Sequence, residues 1–431
     1  MDADVVIVGA GPAGLMLAGD LAEAGVQVIV LEQTDRPATH PRAWGLQPRT
    51  QETLALRGLL EDIADGVGQM EGTMFGSIGL DYSQLETPFP CFLHAPQTRT
   101  EGVLRARALR AGAEIRFGVT VTGLEQSEDV VAAHTTQGDF QAAYLAGCDG
   151  GRSRVREAAG LRLVGWDATS TALFADVELA DPAQAFAVRG ARSEAGMVML
   201  LRRPPSMFRV IVLEFQPLRP GEKSEVSAED LHAALVRVAG RDVDFTSVAW
   251  ASRFTDAARV ADKYRTGRIV LAGDAAHVHS PFGGQGLNLG VQDAAGLGWR
   301  LARAVLHDED TLDWYEAERR PVAERVVANT RTQSRLLAAD PDDALAAAYV
   351  ELATAPAGNR RLAGQVSGLD IAYPSDDQDP RVGRFLPARL LADGGIDQIA
   401  RTLRYDDFTP VTDGGDTLLA RPDGYVAGTR G

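Results

Sequence analysis

The apolar run Val5-Val6-Ile7-Val8, followed at once by Gly9-Ala10-Gly11-Pro12-Ala13-Gly14, constrains this chain more than any other stretch. The run reads as a buried parallel strand, Leu15 to Ala24 as an amphipathic helix, and Val26 to Leu31 as a second buried strand that ends in Glu32. A glycine-rich turn between such a strand and such a helix has a definite physical use. Gly9 permits the tight turn, Gly11 lets a pyrophosphate approach the backbone, and Gly14 lets helix and strand pack closely. The helix N-terminus adds free N–H groups and the positive end of a dipole. Glu32 stands about where an acidic residue would accept hydrogen bonds from a ribose. The segment predicts a dinucleotide-binding unit, with FAD and NAD both open.

A second signature lies far downstream. Arg268-Ile269-Val270-Leu271 reads as a strand that Gly273-Asp274 terminates. Pro281-Phe282-Gly283-Gly284-Gln285-Gly286 then leads into a helix with Leu287, Val291, Ala294, Leu297 and Leu301 on one face. A carboxylate at a strand end can bind polyol hydroxyls such as those of a ribityl chain, and a glycine-rich helix start can stabilise negative charge on a reduced isoalloxazine. The plainer alternative is an ordinary strand-loop-helix connection in which Asp274 is a cap and the glycines serve packing.

These two segments, with Gly147-Cys148-Asp149-Gly150-Gly151-Arg152-Ser153 between them, resemble the single-component FAD-dependent aromatic hydroxylases of the p-hydroxybenzoate hydroxylase class. Pro41-Arg42-Ala43-Trp44-Gly45-Leu46-Gln47-Pro48-Arg49-Thr50 and Gly283-Gly284-Gln285-Gly286-Leu287-Asn288 are similar to the branch acting on polycyclic aromatic polyketides and rifamycin-like antibiotics. The likeness runs from residue 1 to about residue 335. It implies that Gly9, Gly11, Pro12, Ala13 and Gly14 face the pyrophosphate, that Glu32 with Gln33 meets the adenosine ribose, and that Arg42 and Gln97 lie along the ribityl and pyrophosphate. Val121 would touch the adenine region through its backbone. Asp274 would bind FAD, and Pro281, Gly283, Gly284, Gly286, Leu287 and Asn288 would border the flavin ring. Asp149 belongs to a motif used for both FAD and NAD(P)H.

The resemblance further implies the activity: an FAD-dependent monooxygenase that hydroxylates a polycyclic aromatic polyketide or related phenol. NADPH or NADH, a transient co-substrate, reduces the flavin; O2 adds to give a C4a-hydroperoxide, and the electron-rich ring attacks its distal oxygen. A Baeyer-Villiger reaction on the same scaffold and a non-catalytic flavin-binding protein are the alternatives. No catalytic residue is assigned. Arg42 and Arg49 can clamp phosphate or form ordinary ion pairs, and Tyr82, His94 and Met207 lie in segments that can face substrate.

Composition is compatible. At 431 residues and 45% hydrophobic content the chain can bury a large core in two or three domains. A formal charge of -16 without a lysine-arginine tract argues against nucleic acid and anionic membranes as partners. The only cysteines, Cys91 and Cys148, read as reduced packing residues, which suits the cytoplasm. The first strand starts almost at residue 1, leaving no room for a signal peptide, and no apolar stretch is long enough to span a bilayer. His277 and His279 lack further donors at metal-site spacing, so no metal is expected.

The predicted fold class is α/β. A discontinuous Rossmann-like FAD-binding domain spans 1–75, 97–165 and 263–340, and a β-sheet substrate domain is built from 166–262 with 76–96 completing it. In the C-terminal region, 375–431, Thr417 to Ala427 resembles the closing strand of a thioredoxin-like domain, but the segment is short for a whole one. Either that domain is reduced here or the sequence omits stretches of it. It contains no CxxC, which argues against a redox role.

Overall fold

In the computed structural model, which describes residues 1–203, 207–218, 226–338 and 343–430, the N-terminal apolar runs become neighbouring strands of one eight-stranded sheet. Of the expected segments, 204–206 and 219–225 in the insert, 339–340 at the end of the third nucleotide segment, and Gly431 lie outside the described residues. The central elements are β1 (Ala3–Val8), α1 (Pro12–Glu23), β2 (Val28–Glu32), β3 (Glu114–Phe117), β4 (Gly138–Gly147) and β5 (Ile269–Leu271). Their spatial order is β5-β4-β1-β2-β3, and all four contacts are parallel. Val5 stands opposite Tyr144 on one side and Val28 on the other. Strands buried on both faces need unbroken apolar runs, which is why the alternation of a one-sided sheet is missing here.

Two long helices follow β5: α2 (Gly286–Leu306) and α3 (Leu312–Ala338). α1 and α2 pack closely because small residues meet. A side-chain carbon on Gly273 would lie 3.1 Å from Ala13 Cβ, and one on Gly290 would lie 3.3 Å from Gly273 Cα. Leu15, Leu17, Leu21, Val291, Leu297 and Leu301 are buried in the same core, each contributing about 1.5 to 3 kcal/mol relative to exposure.

The insert is entered and left through paired strands, Leu163–Trp166 against Ala258–Ala261. Between them a five-stranded antiparallel sheet runs in the order Arg192–Ser193, Gly196–Arg203, Met207–Glu214, Thr171–Leu179, Phe245–Thr255. Helix Ala228–Ala239 covers one face through Leu231, Ala234, Leu235 and Val238. It starts with a reciprocal cap, Ser227 to the Asp230 N–H and Asp230 to the Ser227 N–H. Ser227→Ala should therefore cost about 1 kcal/mol, seen as a lowered melting midpoint with FAD binding retained.

Residues 76–96 correct the expectation that they complete this sheet. Gly72–Phe75 and Ile78–Asp81 form a separate hairpin, and Phe92–Pro96 pairs with Trp44–Leu46 and Gln69–Met70. The hairpin packs instead on helix Pro356–Ser367, with Phe75, Leu80, Tyr82 and Phe92 meeting Leu362 and Val366. The region expected to hold a reduced thioredoxin-like domain consists of two short helices and an antiparallel meander, Thr409–Asp413, Asp416–Ala420 and Val426–Arg430. It is keyed to the nucleotide domain by buried charges. Arg421 donates to both oxygens of Glu318 at 2.9 Å and is paired with Asp423, while Glu318 also receives Arg300 at 2.7 Å. Among the described residues no helix is long and apolar enough to cross a membrane.

Candidate functional site

In a parallel sheet, ligands bind beyond the C-terminal strand ends, where the strand order reverses. Here that edge collects the motifs that the sequence keeps apart. Gly9 follows β1, Glu32 ends β2, Cys148-Asp149 follows β4, and Gly273-Asp274 follows β5.

The glycines of the first turn divide the work by geometry. Gly9 has φ +105°, and a side-chain carbon there would sit 2.4 Å from the Cys148 carbonyl oxygen; on Gly14 it would sit 2.0 Å from the Gly9 oxygen. Those two are packing glycines. A carbon on Gly11 would meet nothing within 4 Å. Gly11 therefore lines open space at the N-terminus of α1, with Pro12 as the first helical residue. Glu32 is held by N–H groups of Ala10 at 2.8 Å and Thr34 at 2.9 Å, with Gln33 exposed beside it. Val121, buried, begins a strand just after Val119, whose N–H bonds the Glu32 carbonyl.

Gln97 joins Ala43 by two reciprocal 3.0 Å hydrogen bonds, which fixes the loop that carries the exposed Arg42. Asp274 is exposed although Gly273, Ala275, Ala276 and His277 around it are buried. It lies close to the start of α2, since a carbon on Gly286 would come within 3.9 Å of its Oδ1. Asp149 is engaged differently. Its carboxylate accepts from the Ser153 hydroxyl and from the N–H groups of Arg154 at 2.7 Å and Val155 at 3.1 Å, capping a short helix, while burial raises its pKa.

The loop before α2 is tied from the inside. Asn288, buried, donates to the carbonyls of Gly45 at 3.2 Å and Gly284 at 2.7 Å and accepts from the Gln47 N–H at 2.7 Å. Gln47 donates to the Gly283 carbonyl at 2.7 Å and accepts from the Tyr82 hydroxyl at 2.7 Å. The Asn288 amide thus acts as a staple between loops. Pro281 and Gly284 stay exposed, and Gly283, Gly286 and Leu287 are half-buried.

Several residues take roles that sequence reasoning had left open or missed. Arg49 is no phosphate clamp: it is buried, paired with Glu52, bonded to the Gly368 and Leu369 carbonyls and stacked 3.8 Å over Phe385. His277 is paired with Asp293 at 2.6 Å, with both side chains buried. Tyr82 is buried under Gln47, and His94 packs edge-on against Phe92. Gln47 lies inside the Pro41–Thr50 motif, which does not single it out. Arg209 and Asp176 were also missed. They face each other across paired strands and form a buried two-pronged bond, at 2.8 and 2.6 Å. Arg209 also donates to the Pro41 carbonyl at 3.0 Å, so the insert sheet is tied to the Arg42 loop. A charge of each sign inside two apolar strand runs was the available signal.

The sheet face opposite its helix is aromatic and soft: Phe174, Ile211 and Leu213, with Met197, Met199, Trp250 and Phe254 around them. Phe282 from the loop and Leu337 from α3 pack into the same cluster. A cavity of about 280 Å3 adjoins the other elements of the loop, bordered by Gln285, Asn288, Gln292, Asn329, Tyr349 and Val366. Among the described residues no group of three or more His, Cys, Asp or Glu side chains is gathered to hold a metal.

A glycine turn with open space before it, an acidic residue ending β2 and an accessible carboxylate after β5 are thus gathered at one edge of the parallel sheet. Residues 2–330 match the family model described as the FAD binding domain, and the chain belongs to that family. It is 39% identical to the 12-dehydrotetracycline 5-monooxygenase/anhydrotetracycline 6-monooxygenase of Streptomyces rimosus subsp. rimosus, over 99% of this chain and 95% of that protein. The aligned span of 477 positions exceeds the 431 residues of the chain, so the relative carries additional residues within the matched region. A rifampicin monooxygenase of Streptomyces venezuelae is 36% identical over 98% of this chain and 94% of its own length. The solved structure of OxyS anhydrotetracycline hydroxylase from Streptomyces rimosus superposes with a TM-score of 0.91 at 38% identity, covering 100% of this chain and 96% of that one. The chain is thus a flavoprotein monooxygenase of the aromatic polyketide hydroxylase type.

Proposed function

We propose that this enzyme uses NADPH or NADH and O2 to hydroxylate a polycyclic phenolic substrate lying between the aromatic face of the insert sheet and the Pro281–Asn288 loop. The observation that carries this reading is the meeting of Phe282, on the cofactor loop, with the Phe174, Trp250 and Phe254 cluster of the sheet. Flat aromatic ligands suit such a surface, because ring faces and edges give both area and orientation. FAD, when bound, accepts hydride from NAD(P)H and activates O2 for transfer to the ring.

The chain's own part is placement and shelter. Gly11 and the α1 N-terminus receive the pyrophosphate, Glu32 and Gln33 the adenosine ribose, the Val121 backbone the adenine, and Arg42, Gln97 and Asp274 the ribityl and phosphate region. The loop from Pro281 to Asn288 borders the flavin, and Asp149 serves the turn beside it. The apolar sheet face excludes water while oxygen is transferred. Incubation of purified protein with candidate polyketides, NADPH and labelled O2, followed by mass spectrometry, tests the proposal. One labelled oxygen on an aromatic carbon supports it; label inserted next to a ketone carbonyl, or no label in product, sinks it.

Gly284 offers a second test. Its φ is +61°, and a side-chain carbon would come 3.4 Å from Phe92, so valine there is strained by the backbone and crowds the face proposed for the ring. Gly284→Val should slow flavin reduction by NADPH several-fold in stopped flow and raise wasteful peroxide release. Normal reduction with tight coupling would remove this loop from the flavin's border.

A further inference from the structure

Asp274 is exposed on a turn whose backbone is anchored from behind. The Gly273 N–H donates to Asp293 Oδ2 at 3.2 Å, and the same oxygen meets His277 Nε2 at 2.6 Å. The other oxygen, Oδ1, accepts from Arg319 Nε at 2.8 Å. Arg319 then donates from Nη1 to the Tyr373 hydroxyl at 3.0 Å, and Tyr373 packs 4.3 Å from Tyr425, with the Arg421 guanidinium 5.0 Å over its ring. Asp293, His277 and Arg319 are each 0% exposed. One continuous buried series therefore runs from the C-terminal segment, through α3 and α2, to Gly273, beside Asp274 in the turn that follows β5.

We propose that Asp293 is a positioning residue for the cofactor, and that Arg319 and Tyr373 hold it in the orientation that presents Asp274 to FAD. The inference rests on the reading that Asp274 faces FAD. Three features favour positioning over simple packing. Asp293 spends one oxygen on the backbone N–H next to Asp274, so any rotation of its carboxylate moves that turn. Burial alone would disfavour its charge, but Arg319 and His277 outweigh burial and hold it below the usual carboxylate range. Both donors to Oδ2 come from Gly273 and His277 in and after the turn, whereas among the described residues Oδ1 is held by Arg319 of α3. The C-terminal segment is by this account part of the cofactor site.

The test measures FAD release from the purified holoenzyme by recovery of free-flavin fluorescence on dilution, together with amide exchange in the peptide containing Gly273. Tyr373→Phe removes one hydroxyl and keeps the ring, so the protein should fold. It should weaken FAD binding roughly two- to tenfold and speed exchange at Gly273. Asp293→Asn, whose amide must point its NH2 either at the Gly273 N–H or at the Arg319 guanidinium, both of them donors, should weaken FAD binding more than Tyr373→Phe does. If Tyr373→Phe lowers only the melting midpoint, with FAD release and exchange unchanged, the series is structural and the proposal is wrong. If Asp274→Ala itself leaves FAD binding unchanged, the underlying site reading fails instead.

Discussion

Gly11→Val should strip the protein of FAD while leaving it folded. Gly11 has φ -78° and ψ -177°, which any residue adopts, and an added side chain meets no protein atom within 4 Å. The variant therefore loses nothing in the folded apoprotein. Its branched methyl groups, however, occupy the space where the pyrophosphate must approach the α1 N-terminus, so backbone contacts to both phosphates are denied together. The expected outcome is a colourless preparation, FAD affinity lower by a factor on the order of a thousand, and an apoprotein melting midpoint close to that of the parent. Gly14→Ala is the control with the opposite geometry. Its methyl would fall 2.0 Å from the Gly9 carbonyl oxygen, so stability and FAD should both be lost. A yellow Gly11→Val protein with parental affinity would overturn the cofactor assignment at this turn.

Asp274→Ala is expected to weaken FAD with little cost to the fold. The carboxylate is exposed and accepts no hydrogen bond from the described residues, and exposed positions of that kind usually tolerate substitution within about 0.5 kcal/mol. Hydrogen bonds to a charged acceptor contribute about 1.5 to 3 kcal/mol each, so the loss of one should lower affinity roughly 10- to 150-fold. Titration of apoprotein with FAD, followed by flavin fluorescence, gives the number. Unchanged affinity with a lowered melting midpoint would make Asp274 a cap on its short turn and nothing more.

What the sequence discloses and what it hides divide along physical lines. The C-terminal edge of the parallel sheet is legible because each of its turns follows a strand, and the requirement falls on residue type: a glycine where a Cβ would strike Cys148 or Gly9, an acid where β2 ends, an acid in the turn after β5. Residues whose task depends on a partner distant in the chain are opaque. Arg49 resembles a phosphate ligand until Glu52, Gly368 and Phe385 are seen around it. Residues 76–96 contain strand-like runs, but pairing is decided by which edge is free, and the insert sheet was filled from its own hairpins. Asn288 and Gln47 are amides that could face ligand or backbone with equal propriety; only the positions of Gly45, Gly283 and Gly284 decide for backbone.

The parallel pairing of β4 with β5 has a consequence for how the protein is made. Leu145 pairs with Ile269, so β4 leaves the ribosome long before its partner exists, with the whole insert to be synthesised in between. During that interval the insert can close on itself, since Gly196–Arg203 and Met207–Glu214 are adjacent in sequence and short loops form fast. The outer edge of β4 closes only in its first half, where Gly138–Ala142 pairs with the preceding strand Val131–Thr135; the stretch from Ala143 to Gly147 must wait for Ile269–Leu271. That stretch presents unpaired backbone groups beside an apolar run, the arrangement that invites pairing with another nascent chain. Arg421 and Tyr425, which seal α2 and α3, arrive last of all. A chain interrupted before Ile269 therefore ends as an aggregation hazard, not as a smaller working protein.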